Sequence, residues 1–369
     1  MTHPTSVLTS TNLTSVQLPT TVGLDLSDRV SHFHVMRGDG VTLSTGKVAT
    51  ERAELAALFI RWKGCRLVIE AGGHSPWISR LGKSCGMEVV VANPRRVELI
   101  SKSDKKSDRT DAESLARLGK SDVELLAPIT HRSKEAQEHL AVQRARNALV
   151  ASRTGLINHV RGVLKSHGYR GPRCGAERFA AQALRGLPKE LEPALAPLLG
   201  LLLRTNAEIK ALDKKLERIA REHYPVTELL QGPKGVGPII SLSFVLTLDD
   251  PKRYKGRDVG AYLGLVPSLN ASGLGNPQLH ITKAGDREMR RLLVLAANYI
   301  LGRFGPDCDL RRFGLRIAGD GSDKNAKKRA RVAVARKLAV LLHHLWKTGA
   351  VYDPFYLAKK RGEPVPAGA

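Results

Sequence analysis

Cysteine is scarce and dispersed in this 369-residue chain: Cys65, Cys85, Cys174 and Cys308 stand far apart, with no close pair. That distribution offers no zinc-ligand spacing and no disulfide framework, and it fits reduced thiols. Long apolar runs are also missing. No stretch approaches the ~20 apolar residues of a membrane-spanning helix, and residues 1–20 lack the basic start and apolar core of a secretion signal. A cytoplasmic protein with no membrane partner is therefore expected. Acids are in short supply: 35 Asp and Glu face 59 Lys and Arg, for a net charge of +24 and a pI near 10.2. Such an excess marks a polyanionic partner, and DNA or RNA leads over a membrane surface.

What is present organises into more than one core, because the chain exceeds the ~100–200 residues of a typical domain and its 42% hydrophobic content can fill several. Residues 1–20, rich in Thr and Ser and without periodicity, read as a flexible leader. From Thr21 the pattern predicts strands over 21–26, 30–36 and 40–44, a helix over 50–62, a strand over 66–71, a helix near 77–85, a strand over 88–92 and a helix over 111–118. Strands first, then strands alternating with helices, imply a mixed sheet with helices on its faces. Residues 133–168, basic and nearly free of Gly and Pro, read as one long helix carrying Arg146, Arg153 and Arg161. A later stretch places Leu202, Ile209, Leu212, Leu216 and Ile219 at seam spacing with Thr205 between. That is the pattern of a helical hairpin, of a short dimer coil, or of a helix packed on its own domain.

Four acids sit where an acid is costly without a task. Asp25 ends the apolar run from Thr21, Glu70 ends the run from Arg66, and Asp108 and Asp111 stand three apart at a helix start. An acid at the end of a buried strand is expensive to desolvate unless it is paired or bound to metal. Residues three apart share one helix face. Clustered carboxylates are the natural ligands of the divalent ions that phosphodiester chemistry needs. Lys105, Lys106 and Arg109 would bring phosphate toward them. On the residues alone, Asp25 is equally a strand-end turn former and Asp108 a helix N-cap.

The second half opens with Gly232-Pro-Lys-Gly-Val-Gly237, a glycine turn between two helices. Gly235 and Gly237 there resemble a helix-hairpin-helix phosphate grip, a weak motif. A glycine-rich irregular stretch containing Ser272 follows, then the turn at Lys283, the basic helix with Arg287 and Arg290, and a basic tail with Lys327, Lys328 and Arg329; these basic residues, with Arg146, Arg153 and Arg161 of the long helix, are candidate nucleic-acid contacts. That tail is a nucleic-acid contact or a solvated face. His343 and His344 lie on an apolar helix with no other ligand at metal spacing, so packing or capping explains them. No nucleophile elbow surrounds Ser75 beside His74.

Val22-Gly-Leu-Asp25, Val68-Ile-Glu70-Ala and Lys106-Ser-Asp108-Arg-Thr-Asp111-Ala resemble the acidic motifs of the DEDD insertion-sequence transposases, the bridge-RNA-guided recombinases. Gly235-Val-Gly237-Pro, Tyr262-Leu-Gly-Leu-Val-Pro267, Ser272-Gly273, Ile281-Thr-Lys283-Ala-Gly285-Asp-Arg287 and Arg290-Arg-Leu-Leu293 resemble that family's C-terminal domain. The likeness spans roughly 21–305. Leu274 and His280 depart from it, standing where the family often has glycine.

The resemblance implies an α/β plus all-α architecture in four parts. These are the leader, an RNase H-like (RuvC-like) domain over 21–128, a basic helical and coiled-coil linker over 129–230, and a mostly helical C-terminal transposase domain over 231–369. It further implies that Asp25, Glu70, Asp108 and Asp111 bind Mg2+ (or Mn2+) and that Ser272 is the nucleophile that becomes joined to cleaved DNA. Implied partners are donor and target DNA, a structured noncoding guide RNA, and further copies of the chain in a dimer or tetramer, with the 202–219 seam a candidate for holding copies together. Two other readings use the same residues: a metal-dependent junction-resolving nuclease with water as nucleophile, which leaves Ser272 idle, and a non-catalytic RNA- or DNA-binding protein.

Overall fold

The computed structural model describes residues 19–100, 108–269 and 279–366. The chain divides into two compact units, Met1–His131 and Arg132–Ala369.

In the first unit, β1 (Thr21–Asp25), β2 (Val30–Met36) and β3 (Thr42–Ala49) form an antiparallel meander. On the other side of β1, β4 (Arg66–Glu70) and then β5 (Glu88–Ala92) add in parallel, giving the order β3-β2-β1-β4-β5. Parallel neighbours need crossovers, which α1 (Arg52–Arg61) and α2 (Ser75–Ser84) supply. After β5 come α3 (Pro94–Ile100) and α4 (Asp108–Ser121).

The two-residue period of the strands sorts the sheet into two faces. Val22, Leu24, Leu67 and Ile69 pack with Leu55, Phe59 and Ile78 from α1 and α2. Val68, Val90 and Ala92 pack with Leu115 of α4 and with Leu126 on the opposite face. On that second face α4 lies almost flat on β1. A Cβ added to Gly23 would stand 2.1 Å from the Ala112 carbonyl oxygen and 2.5 Å from the Ala116 amide, and one added to Gly119 would strike Val68. Ala112 lies at Gly23 and Gly119 near Thr21, so α4 runs opposite to β1 and its first turn arrives at the end of β1 that Asp25 occupies.

The second unit is helical. α5 (Lys134–Ser166) and α7 (Glu192–His223) run antiparallel, with α6 (Ala176–Arg185) packed between their far ends. Then come α8 (Val226–Leu230), α9 (Pro238–Leu248), α10 (Gly256–Tyr262), α11 (Arg287–Leu301), α12 (Asp309–Ala318), α13 (Lys324–Thr348) and α14 (Tyr356–Lys360). Phe244, Leu292, Leu293, Leu338 and Leu342 anchor their shared core.

One strand boundary moves, and two open readings are narrowed. The third strand runs over 42–49 rather than 40–44, because the seven-residue β2 pairs along its whole length and the turn ends at Val41. The seam is filled from within the chain. Leu202 is buried with Ile157, Val160 and Phe179, and Leu216 and Ile219 with Leu140, Leu242 and Leu246, so the helix packs on its own unit. The same contacts give the 129–230 stretch a core in common with α9. His343 is buried and its Nε2 lies 2.8 Å from the Pro251 carbonyl oxygen, a packing role.

Candidate functional site

Asp25 and Glu70 are the last residues of the parallel neighbours β1 and β4, one step beyond the registered pair Leu24 and Ile69. Both carboxylates therefore leave the sheet at the same end. By the strand period they share the face of Gly23 and Val68, which α4 covers. The first turn of α4, with Asp108 and Asp111, reaches that end too. The positive end of the α4 dipole lowers the cost of placing acids there.

A carboxylate oxygen of Asp25, one of Asp108 and a ring nitrogen of His32 lie within 4.8 Å of one another. Glu70 and Asp111, both partly buried, belong to the same end of the sheet but not to that group of three. Two carboxylate oxygens converging from different elements are a donor set suited to a divalent cation.

Sequence reasoning missed His32. The antiparallel register sets it directly opposite Asp25. Its Nδ1 is 3.6 Å from Asp108 Oδ2, and among the described residues this buried nitrogen has no hydrogen-bond partner. Two residues on, His34 faces the same side, buried, with Nε2 3.1 Å from Thr42 Oγ1. Burial holds the His34 pKa below its ordinary value, reinforced by Arg117 and Arg109 and opposed by Glu113. The available signal was His-x-His on a strand adjoining the Asp25 strand.

Of the residues expected to meet nucleic acid, Lys105 and Lys106 lie outside the described residues, as does Ser272. Arg109, Arg287, Lys327, Lys328 and Arg329 are exposed, Arg329 also reaching Asp323 at 3.4 Å. Others have tasks inside the fold. Arg146 pairs with Asp213 at 2.7 Å, Arg153 donates to Asn206 at 3.1 Å, and Arg161 stacks on Phe179 at 4.9 Å, which ties α5 to α7 and α6. Gly235 has a φ of +98° and sits where a Cβ would press on Tyr299 and the Ala296 carbonyl, so its backbone is packed on α11. Gly237 opens α9 with free space around it.

The backbone on either side of the Ser272 stretch is tied together. Pro267 and Ile281 form a bridge, Ser268 N donates to His280 O at 2.8 Å, and Thr282 N donates to Val266 O at 2.9 Å. The Arg290 guanidinium donates to the carbonyls of Leu263 (3.2 Å), Gly285 (3.1 Å) and Ala284, locking the two turns at its base. Lys283, at a φ of +54°, projects from this stem. Lys283, Lys328 and Arg336 line a cleft of about 1210 Å³ together with Phe313 and Leu341.

A second titratable group lies where α5 begins and α7 ends. Glu135 Oε1 is 2.6 Å from His223 Nδ1, His139 Nδ1 is 3.0 Å from the Tyr224 hydroxyl, and the two imidazoles meet edge-on at 4.7 Å. Burial, then His223, pulls the His139 pKa below its ordinary value, and burial pushes Tyr224 up to about 12.

Comparison with known proteins decides the family. A family model described as "Transposase" matches residues 22–168, and one described as "Transposase IS116/IS110/IS902 family" matches 227–311. The chain is 30% identical over 293 residues to "Transposase for insertion sequence element IS1328" of Yersinia enterocolitica, across 77% of this chain and 84% of that one. It is 29% identical over 344 residues to "Probable family 20 transposase" of Pseudomonas aeruginosa, across 90% and 98%. The chain belongs to the IS110/IS116/IS902 transposase family. This transposase is thus a DNA-cleaving and recombining enzyme; the four candidate acids Asp25, Glu70, Asp108 and Asp111 fall inside the first matched segment and Ser272 inside the second. Its DEDD class implies use of a divalent metal. Among the described residues no helix is long and apolar enough to cross a membrane.

Proposed function

We propose that this transposase excises and inserts its own element under a structured noncoding guide RNA, with Asp25, Glu70, Asp108 and Asp111 holding magnesium or manganese and Ser272 acting as nucleophile. The observation that carries the metal part is the meeting of Asp25 and Asp108, from a strand end and a helix start, with donor atoms within 4.8 Å. The sheet order with acids ending β1 and β4 supports an RNase H-like, RuvC-like domain. When bound, the ions supply charge neutralisation at the phosphoryl oxygens.

The chain's own residues do the rest. A serine hydroxyl is a weak nucleophile, so Ser272 Oγ must be held against phosphorus in line with the leaving oxygen. The Oγ–P bond forms as a P–O bond of the strand breaks; Oγ gives up its proton and the leaving oxygen gains one. One phosphate ester replaces another, so the strand can be rejoined without outside energy. Arg109 of the first unit and Lys283 of the second, both exposed, would each attract phosphate. The guide RNA rests on the family resemblance and on the +24 charge, which suits a polyanion, while assembly into a dimer or tetramer rests on the resemblance alone.

The test is recombination of a plasmid-borne element by purified chain, with and without the RNA transcribed beside its gene. RNA-dependent joining that Ser272→Ala abolishes supports the proposal. Cleavage that needs no RNA and survives Ser272→Ala points to the water-using nuclease instead.

A further inference from the structure

We propose that His32 is a nitrogen ligand of the metal held by Asp25 and Asp108, and that it shifts this site toward manganese over magnesium. The inference rests on the metal reading above and adds a residue that the acidic motif does not contain.

Three observations carry it. In the β1–β2 ladder His32 is the residue directly opposite Asp25, so the two side chains rise side by side on the α4 face, Cβ atoms about 4.5–5.5 Å apart. The buried Nδ1 of His32 makes no hydrogen bond among the described residues. Its 3.6 Å approach to Asp108 Oδ2 is too long to be one. A buried polar atom left unbonded is costly, so such an atom in a native fold calls for a partner, and none is found for Nδ1 among the described residues.

The spacing is that of two ligands around one ion. With metal–ligand bonds of about 2.0–2.2 Å, adjacent ligands of an octahedral or tetrahedral centre lie about 3.0–3.5 Å apart and opposed ligands about 4.2 Å. The 3.6 Å between Nδ1 and Asp108 Oδ2 is just beyond the adjacent-ligand distance, and the trio, within 4.8 Å, needs only small movements to reach it. His32 Nδ1 and Asp108 Oδ2 stand within ion-pair reach at 3.6 Å, and a cation between them would replace that long contact with two shorter metal–ligand bonds.

The donor type then sets the preference. Magnesium takes oxygen almost exclusively and gives up its waters reluctantly, whereas imidazole favours the transition ions. Two carboxylates and one imidazole therefore bind Mn2+ more tightly than Mg2+.

The experiment uses the full-length chain stripped with EDTA and loaded with Mn2+. It combines pulsed electron paramagnetic resonance, which detects nitrogen bonded to Mn2+, with calorimetric titrations of Mn2+ and Mg2+. The expected result is a nitrogen modulation in the wild type that disappears in His32→Ala and in His32→Gln, the latter kept as the variant closest in size. Mn2+ affinity should fall about 10- to 100-fold and Mg2+ affinity by less than about 3-fold. Mn2+ bound in an Asp25-dependent way with no nitrogen modulation would overturn the role of His32 and leave the carboxylate site standing. Wild-type chain that binds no Mn2+ would overturn the metal reading and His32 with it.

Discussion

Gly23 of β1 and Ala112 of α4 are packed so closely that a methyl group on Gly23 would lie 2.1 Å from the Ala112 carbonyl oxygen. This contact holds the first turn of α4, with Asp108 and Asp111, at the end of the strand that Asp25 closes. Gly23→Ala must push the helix away. The expected cost is on the order of 1–3 kcal/mol in urea unfolding of the first unit, from overpacking. Loss of Mn2+ binding should accompany it even where the fold survives. Unchanged stability would mean that the helix is not seated as described.

Asp25 and Asp108 repel each other when no cation lies between them. Asp25→Asn or Asp108→Asn should therefore reduce strand cleavage by ~100-fold or more while raising the melting temperature in EDTA, as site residues held at a cost to stability often do. Calorimetric melts with and without Mn2+ check the sign. A variant that melts lower than wild type in EDTA would argue for a structural acid.

Two basic residues of the second unit should separate cleanly. Arg290 donates to three backbone carbonyls, so Arg290→Lys is expected to cost about 1–3 kcal/mol of stability and to leave the salt dependence of DNA binding unchanged. Lys328 is exposed at the cleft, so Lys328→Ala should leave stability unchanged and lower the salt slope by about 0.9, one phosphate contact on duplex DNA. Denaturant melts and binding isotherms at several salt concentrations distinguish them.

Acid should weaken the second unit through His139. Its pKa in the fold lies below its ordinary 6.5, because burial and His223 and Lys215 outweigh Glu135 and Glu138. The unfolded chain thus takes up the proton first. The stability contributed by neutral His139 is present above pH ~6.5 and is lost as pH falls from there through the folded value. His139→Gln should flatten that part of the stability-versus-pH curve. An identical slope in the variant would assign the effect to another group.

The elements that carry the acids were legible because each is marked by local chemistry. Asp25 and Glu70 close apolar strands, Asp108 and Asp111 begin a helix, and α5 and α11 fall where composition places them. His32 was not legible, since its partnership with Asp25 depends on the register of β1 against β2, which neither strand states alone. For Arg290, a candidate nucleic-acid contact by its place on a basic helix, sequence cannot show that its guanidinium is taken up by carbonyls of residues 263 and 284–285. The 202–219 seam was ambiguous for a related reason. Its spacing records that one face is buried, while the identity of α5, α6 and α9 as the burying elements comes only from the fold.

The most direct measurement is the trapping of a protein–DNA adduct on a nicked donor substrate, resolved under denaturing conditions. The account predicts a covalent adduct that needs Mg2+ or Mn2+, is absent from Ser272→Ala, and drops by ~100-fold or more in Glu70→Gln. An adduct that forms in EDTA, or that persists in Ser272→Ala, would contradict it.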